Sequence, residues 1–335
     1  MVTIRDVAAE AGVSITTVSR ALNETGRVGA ATRERVLAAA KRLSYQPNDL
    51  ARSLHGVATG TIAVLVPDIT NPFFPELVNG IQTVANEHGR LLLLCQTGED
   101  SDTAVQELLN LRRKRVDGVV LVGGLGGSQL AAAAAGMSVV TVDRDTNIEG
   151  ASVVCSDHRR GGRLATEHLI ELGHEHIAHI SGPGHLSVAQ DRQEGYREAL
   201  ESAGLSFDES LVVEGDFLEN SGYDAVRAMR RRRRQFSAVF CGNDLMAIGA
   251  LRALDEVGLA VPTDVSVIGF DDIHLASYVR PGLTTVHQAI EQLGRRAAEL
   301  LIGADLAAGV VTSEVLDLHV VRRQTTGPCP RGGAG

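Results

Sequence analysis

The chain has 335 residues, 44% hydrophobic and 22% charged, with 41 acidic against 32 basic side chains and a formal net charge of -9. That composition supplies sizeable cores for more than one domain, and it excludes both an intrinsically disordered chain and one coated with nucleic acid along its whole length. The four cysteines, Cys95, Cys155, Cys241 and Cys329, form no C-x-x-C pair, so no zinc site and no disulfide framework is expected and a reducing compartment fits.

The longest apolar runs, such as Leu91 to Cys95 and Ala131 to Ala135, fall far short of the roughly 20 residues that span a bilayer. The first residues lack the apolar core of a secretory signal. A cytoplasmic protein with no membrane segment is the expectation.

Charge is segregated along the chain. Residues 1–56 carry eight basic and five acidic side chains, a balance of +3, and the remainder carries 24 basic against 36 acidic. A basic head on an acidic body suggests that the head meets a polyanion.

Within that head, Thr3-Ile4-Arg5-Asp6 reads as a helix start with Val7, Ala8 and Ala11 on one face. Gly12-Val13 breaks the helix, and Ser14 caps a second one, Ile15 to Leu22, with Val18, Ala21 and Leu22 inward. This is the spacing of a helix-turn-helix, whose second helix enters the major groove of DNA. Ile15, Thr16 and Arg20 then point outward to base edges, where Ile15 suits a thymine methyl and Arg20 a guanine. Thr17 and Thr32 are candidate phosphate contacts. A third helix, Ala30 to Ser44, places Val36, Leu37, Ala40 and Leu43 at core spacing. The competing reading is a plain three-helix bundle with no partner.

The runs Thr3 to Ala8, Ala11 to Ser14, Thr17 to Arg20 and Thr32-Arg33 resemble the headpiece of the lactose-repressor family. The resemblance implies a hinge at Tyr45 to Leu54 that becomes helical on operator DNA. It assigns Asn48, Ala51 and Leu54 to DNA contact, with Leu54 as a minor-groove wedge that unstacks a base step. Gly29 departs from the serine usual at the cap of helix three.

From Thr61 onward, Ile62 to Val66, Leu91 to Cys95, Val119 to Val122, Val139 to Val142, Ile177 to Ile180, Val239 to Cys241 and Val265 to Ile268 alternate with amphipathic segments. The fold class expected is α/β: an all-α helix-turn-helix headpiece plus a two-lobed, doubly wound parallel-sheet domain. Ligands of such sheets sit at the carboxyl ends of the strands. The residues there are Asn71, Phe73, Phe74, Asp143, Arg144, Arg192, Phe217, Asn243, Asp271 and Gln288. Two acids, Asp143 and Asp271, balance two guanidiniums, Arg144 and Arg192, and the phenylalanines supply apolar faces. The set suits a neutral, hydroxyl-rich ligand, because planar carboxylates and guanidiniums each bridge adjacent hydroxyls. A sugar phosphate calls for more cationic or N–H donors than these.

The body also resembles the effector domain of the same family, itself similar to periplasmic sugar-binding proteins, through Asn71 to Phe74, Lys114 to Gly118, Gly215 to Phe217, Gly242 to Asp244, Val267 to Asp272 and Leu283 to Val286. The ribose-binding members of that superfamily hold their sugar with residues matching all ten positions above. The resemblance implies a dimeric repressor that grips a near-palindromic operator in double-stranded DNA and is released by D-ribose as inducer. It implies no cofactor and no metal. A purine base remains an alternative, since Phe73, Phe74, Arg192, Phe217 and Asp271 also suit a flat ring. A sugar-metabolising enzyme is disfavoured because arginine neighbours keep Asp143 and Asp271 ionised and poor as acids. A transport binding protein is disfavoured by the attached headpiece.

The expected domains are a headpiece over 1–46, a hinge and linker over 47–60, an effector-binding and dimerisation domain over 61–326 and a disordered tail over 327–335. The tail holds no heptad for a tetramerising coiled coil. The arginine run Arg230 to Arg234 reads as a solvated helix end, and His174, His176 and His179 as ordinary hydrogen-bonding residues.

Overall fold

A computed structural model describes residues 2–22, 26–45, 58–98, 100–123, 127–143, 148–232, 234–303 and 310–330. The chain divides into two compact units, residues 1–59 and 60–335.

The first unit holds α1 (Ile4–Ala11), α2 (Ile15–Leu22) and α3 (Ala30–Arg42). The Asp6 carboxylate reaches back to the Thr3 N–H and hydroxyl, each at 2.8 Å, which holds its pKa below the usual range. Gly12 ends α1 in the left-handed region at φ 64°, a conformation that costs a side-chain-bearing residue but not glycine. Ser14 Oγ accepts from the Thr17 N–H at 3.1 Å and so caps α2, which starts at Ile15. Val7, Ala8, Ala11, Val18, Ala21, Val36, Ala39 and Ala40 form the core. Leu37, expected inside, is 49% exposed, and Ala39 takes its place. Helix three stops at Arg42 rather than Ser44, because Ser44 has φ 51°. The hinge residues Asn48, Ala51 and Leu54 lie outside the described residues.

Among the described residues the second unit holds two six-stranded sheets. The first lobe is built from β1 (Thr61–Val66), α4 (Phe73–Glu87), β2 (Leu91–Gln96), α5 (Ser101–Lys114), β3 (Gly118–Val122), α6 (Ser128–Ala134), β4 (Val139–Val142) and β5 (Ser152–Ser156). The second lobe follows with α7 (His158–Glu171), β6 (Ile177–Ser181), α8 (Ser187–Ser202), β7 (Val212–Glu214), α9 (Glu219–Arg231), β8 (Ala238–Cys241), α10 (Asp244–Glu256), β9 (Ser266–Asp271) and β10 (Thr284–His287). The chain then returns to the first lobe as α11 (Ile290–Ile302) and β11 (Ser313–Leu316), and ends on the second as β12 (His319–Val321). It therefore crosses between lobes after β5, after β10 and after β11.

The strand orders are β11-β5-β4-β3-β1-β2 and β12-β10-β9-β8-β6-β7. Each places a topological switch beside its first strand, where loops diverge and open a crevice. All seven expected strands are present. Five more, β5, β7, β10, β11 and β12, are short and carry Ser, Thr, Glu or His, so no apolar run marks them. The sheets are also not purely parallel, since β12 pairs antiparallel with β10 at the edge.

The tail differs from expectation as well. Residues 327–330 are folded: the Gly327 N–H donates to Ser266 Oγ at 3.0 Å, its carbonyl lies 3.1 Å from His174 Nε2, and the Cys329 N–H donates to the Leu172 carbonyl at 2.8 Å. Paired backbone groups hold the segment against α7 and β9 with no need of an apolar pattern. No helix among the described residues is long and apolar enough to cross a membrane.

Candidate functional site

On the headpiece, α2 buries Val18 and Ala21 and leaves Ile15 44% exposed, with Ser14, Thr16 and Arg20 also exposed and Thr17 half-buried. An apolar side chain held in water at a helix start, beside a cation one and a half turns on, is a surface shaped for a groove rather than for a core. Ser14 and Thr17 hydroxyls lie 2.9 Å apart, so part of their capacity is committed to the cap. Thr32 is half-buried in the first turn of α3.

In the second unit a cavity of about 430 Å³ opens at the carboxyl ends of the strands. The first lobe lines it with Asn71, Phe73, Phe74 and Asp143, and the second with Arg192, Phe217, Asn243 and Asp271. Eight of the ten expected residues therefore share one wall. Gln288 stands behind that wall, 1% exposed, where its Nε2 donates to Asp271 Oδ1 at 2.8 Å. Arg144 lies outside the described residues.

Local chemistry explains each placement. Asn71 Oδ1 accepts from the Phe73 N–H at 3.1 Å at the entry of α4, and Phe73 and Phe74 meet edge to face at 5.3 Å. Asn243 caps α10 by accepting from the Met246 N–H at 3.0 Å, while its Nδ2 donates to the Phe217 carbonyl at 2.9 Å. Its first task is thus to fasten the Phe217 loop. Asp143, Phe217 and Asp271 all adopt positive φ, at 64°, 66° and 112°. Non-glycine residues held there cost of order 1–3 kcal/mol each and gather at functional sites.

Three buried charged groups dominate the electrostatics. Burial opposes ionisation of Asp143, yet His158, Arg192 and the Ser156 N–H at 3.2 Å together hold its carboxyl below the usual range. Asp271, expected to be held ionised by its arginine neighbours, is instead pushed up to about 7, because its burial outweighs the opposing pull of Arg192 and Gln288. The Arg192 guanidinium donates to the Gly242 carbonyl and lies 3.5 Å from Asp271 Oδ1. It stacks 3.7 Å from the Phe270 ring centroid, with the Phe217 ring at 5.8 Å. Arg192 sits inside α8, whose first residue is Ser187.

The sequence reading passed over His158, which contacts both Asp143 and Arg192. It is the residue after the first lobe crossover, and β5, which leads into it, has the pattern Ser-Val-Val-Cys-Ser; identifying that strand would have exposed it. Pro67, Asp68, Gln96, Val188 and Leu218 also line the cavity. Among the described residues no group of three His, Cys, Asp or Glu side chains is placed to hold a metal ion. His174 bonds Ser237 and Ser266, and His179 stacks on Tyr196 and Phe240.

Residues 59–310 match the family described as periplasmic binding proteins and sugar binding domain of LacI family, and residues 3–48 match bacterial regulatory proteins, lacI family. The ribose operon repressor of Halalkalibacterium halodurans is 40% identical over 306 residues, 90% of each chain. The HTH-type transcriptional repressor PurR of Haemophilus influenzae is 40% identical over 304 residues, again 90% of each. A lac repressor dimer bound to operator and an anti-inducer superposes with a TM-score of 0.86 at 31% identity, covering 97% of this chain and 99% of that one.

Proposed function

From the premise that this chain belongs to the lactose-repressor family of DNA-binding, ligand-responsive transcriptional regulators, we propose that it is a cytoplasmic homodimeric repressor whose effector is D-ribose. Two headpieces related by a dimer axis match a near-palindromic operator, and a lac repressor of the same fold is a dimer on its operator. Asn48, Ala51 and Leu54 supply the hinge contacts, between a headpiece over 1–46 and an effector domain from 61.

The observation that carries ribose is the pairing of Asp143 on one lobe with Arg192 and Asp271 on the other across a cavity faced by Phe73, Phe74 and Phe217. Adjacent hydroxyls of a pentose satisfy both carboxylates and the guanidinium, and the rings cover its C–H faces. Ribose that favours a lobe arrangement unsuited to the operator weakens DNA binding, with a coupling of about 1–3 kcal/mol.

A purine corepressor is the second reading, supported by the PurR relative at the same identity. It predicts coupling of the opposite sign. Calorimetric titration of the full chain with D-ribose, and in parallel with hypoxanthine, ribose 5-phosphate and glucose, separates them. Saturable binding of ribose that releases a selected operator duplex supports the first reading. Hypoxanthine binding that tightens the operator replaces it with the second.

A further inference from the structure

The crossover from β5 into α7 brings a buried histidine to the point where the charges of both lobes meet. Asp157 caps α7 by accepting from the Arg160 N–H, and this fixes His158, 5% exposed, as the first helical residue. Its Nδ1 accepts from Arg192 Nε at 3.3 Å and Nη2 at 3.2 Å. A guanidinium only donates, so Nδ1 carries the lone pair and the proton of the neutral ring resides on Nε2. Nε2 lies 3.2 Å from Asp143 Oδ1, within contact but off the alignment of a good hydrogen bond.

Asp143 ends a strand of the first lobe, and Arg192 belongs to a helix of the second and continues to Asp271. Asp143, His158, Arg192 and Asp271 thus form one polar line from lobe to lobe. The ring is held on the second-lobe side, tilted against Phe270 at a centroid distance of 6.0 Å.

We infer that His158 is a positioning residue for the cleft, tying the Asp143 carboxylate to the Arg192 guanidinium so that both present their remaining polar edges to one ligand at one lobe separation. The inference rests on the cleft being the effector site. A single ring does this because its two nitrogens point to different lobes: one accepts from a cation and the other donates towards an anion. Without it, buried Arg192 loses the acceptor for two of its nitrogens and Asp143 loses a stabilising neighbour.

Three variants of the full chain separate the two halves of the bridge. His158→Asn keeps an acceptor near the place of Nδ1, His158→Gln keeps a donor near the place of Nε2, and His158→Leu keeps neither. In ligand-free protein, urea unfolding is combined with Asp143→Asn in double-mutant cycles. Asp143→Asn is expected to cost more stability in the native and Gln backgrounds than in the Asn and Leu backgrounds, so the coupling energy between positions 143 and 158 is non-zero in the Asn and Leu cycles and near zero in the Gln cycle; a zero coupling energy in the Leu cycle overturns the inference. With D-ribose as probe, affinity falls on the order of tenfold in Asn and in Gln and further in Leu. Native binding of ribose with undiminished affinity in Leu also overturns it. A native chain that binds no ribose overturns the ribose reading instead, and the unfolding cycle still decides whether His158 ties the lobes.

Discussion

The guanidinium carbon of Arg192 lies 3.7 Å from the centroid of the Phe270 ring, one residue before the carboxylate of Asp271 that the same guanidinium approaches. Strand β9 thereby offers a π-face and an anion to one buried cation, 5% exposed. The planar fork uses both, as a lysine ammonium does not. Arg192→Ala leaves Asp271 buried without its partner and should lower unfolding free energy by about 3–5 kcal/mol. Arg192→Lys should lose less stability but nearly all ribose affinity, with operator binding in the absence of sugar intact in both. Urea titrations and calorimetry check the pair, and a lysine variant that binds ribose normally removes Arg192 from the ligand set.

Asp271 gives the cleft a dependence on pH near neutrality. Its native pKa of about 7 stands above the unfolded value of 3.8, so between them the native state binds more protons and the group's contribution to stability falls as pH rises. Asp271→Asn removes this titration, and the variant should gain stability relative to the parent from pH 5 to 8, values chosen to bracket a pKa of about 7. Ligand hydroxyls donate to the ionised carboxylate, so ribose affinity of the parent should rise over that interval with proton release, seen as a buffer-dependent heat. The Asn variant should show neither. Equal pH slopes in parent and variant would falsify the assignment of this titration to Asp271.

The legible part of the molecule was the part written in apolar periodicity or in residues at strand ends. Ile62 to Val66 and Val139 to Val142 announce buried strands, and Asp143 and Asp271 follow from where such strands stop. β5 alternates, with Ser152, Val154 and Ser156 buried and Val153 and Cys155 half-buried, and it carries no continuous run, so the His158 that follows it stayed hidden. Asn243 was legible as a cleft residue, but its bond to the Phe217 carbonyl is a tertiary fact that no local pattern encodes. Residues 327–330 look like a free tail because glycine and proline dominate, yet Ser266 and Leu172 hold their backbone.

Helix α7 meets α8 backbone to backbone, and this approach places both His158 and Arg192. A Cβ at Gly162 would stand 2.1 Å from the Arg192 carbonyl oxygen, and one at Gly195 would stand 1.9 Å from the Arg159 carbonyl oxygen. Neither neighbour is a side-chain tip that swings aside, so alanine forces the helices apart. Gly162→Ala should cost about 1–3 kcal/mol of stability. It should weaken ribose binding through the displaced guanidinium, while the headpiece, a separate unit, keeps its operator affinity. An alanine variant as stable and as ribose-avid as the parent would show that the helices yield without disturbing the cleft.

The exposed start of α2 separates positions that specify sequence from those that only anchor. Ile15 is 44% exposed, and Arg20 is exposed as well, its Cδ 3.5 Å from where a Cβ of Gly26 would sit. After an operator is selected from a random duplex library, Arg20→Ala should lose about 1–3 kcal/mol, concentrated at one guanine. Ile15→Ala should lose less, at a thymine. Thr32→Val, if Thr32 meets phosphate, should weaken all duplexes alike and leave base preference unchanged. Fluorescence anisotropy across single-base operator variants reads all three, and the recognition-helix assignment fails if Arg20→Ala lowers affinity evenly over every sequence. Ribose affinity measured on the same proteins should not move, because the substituted side chains belong to residues 1–59 and the cavity to residues 60–335.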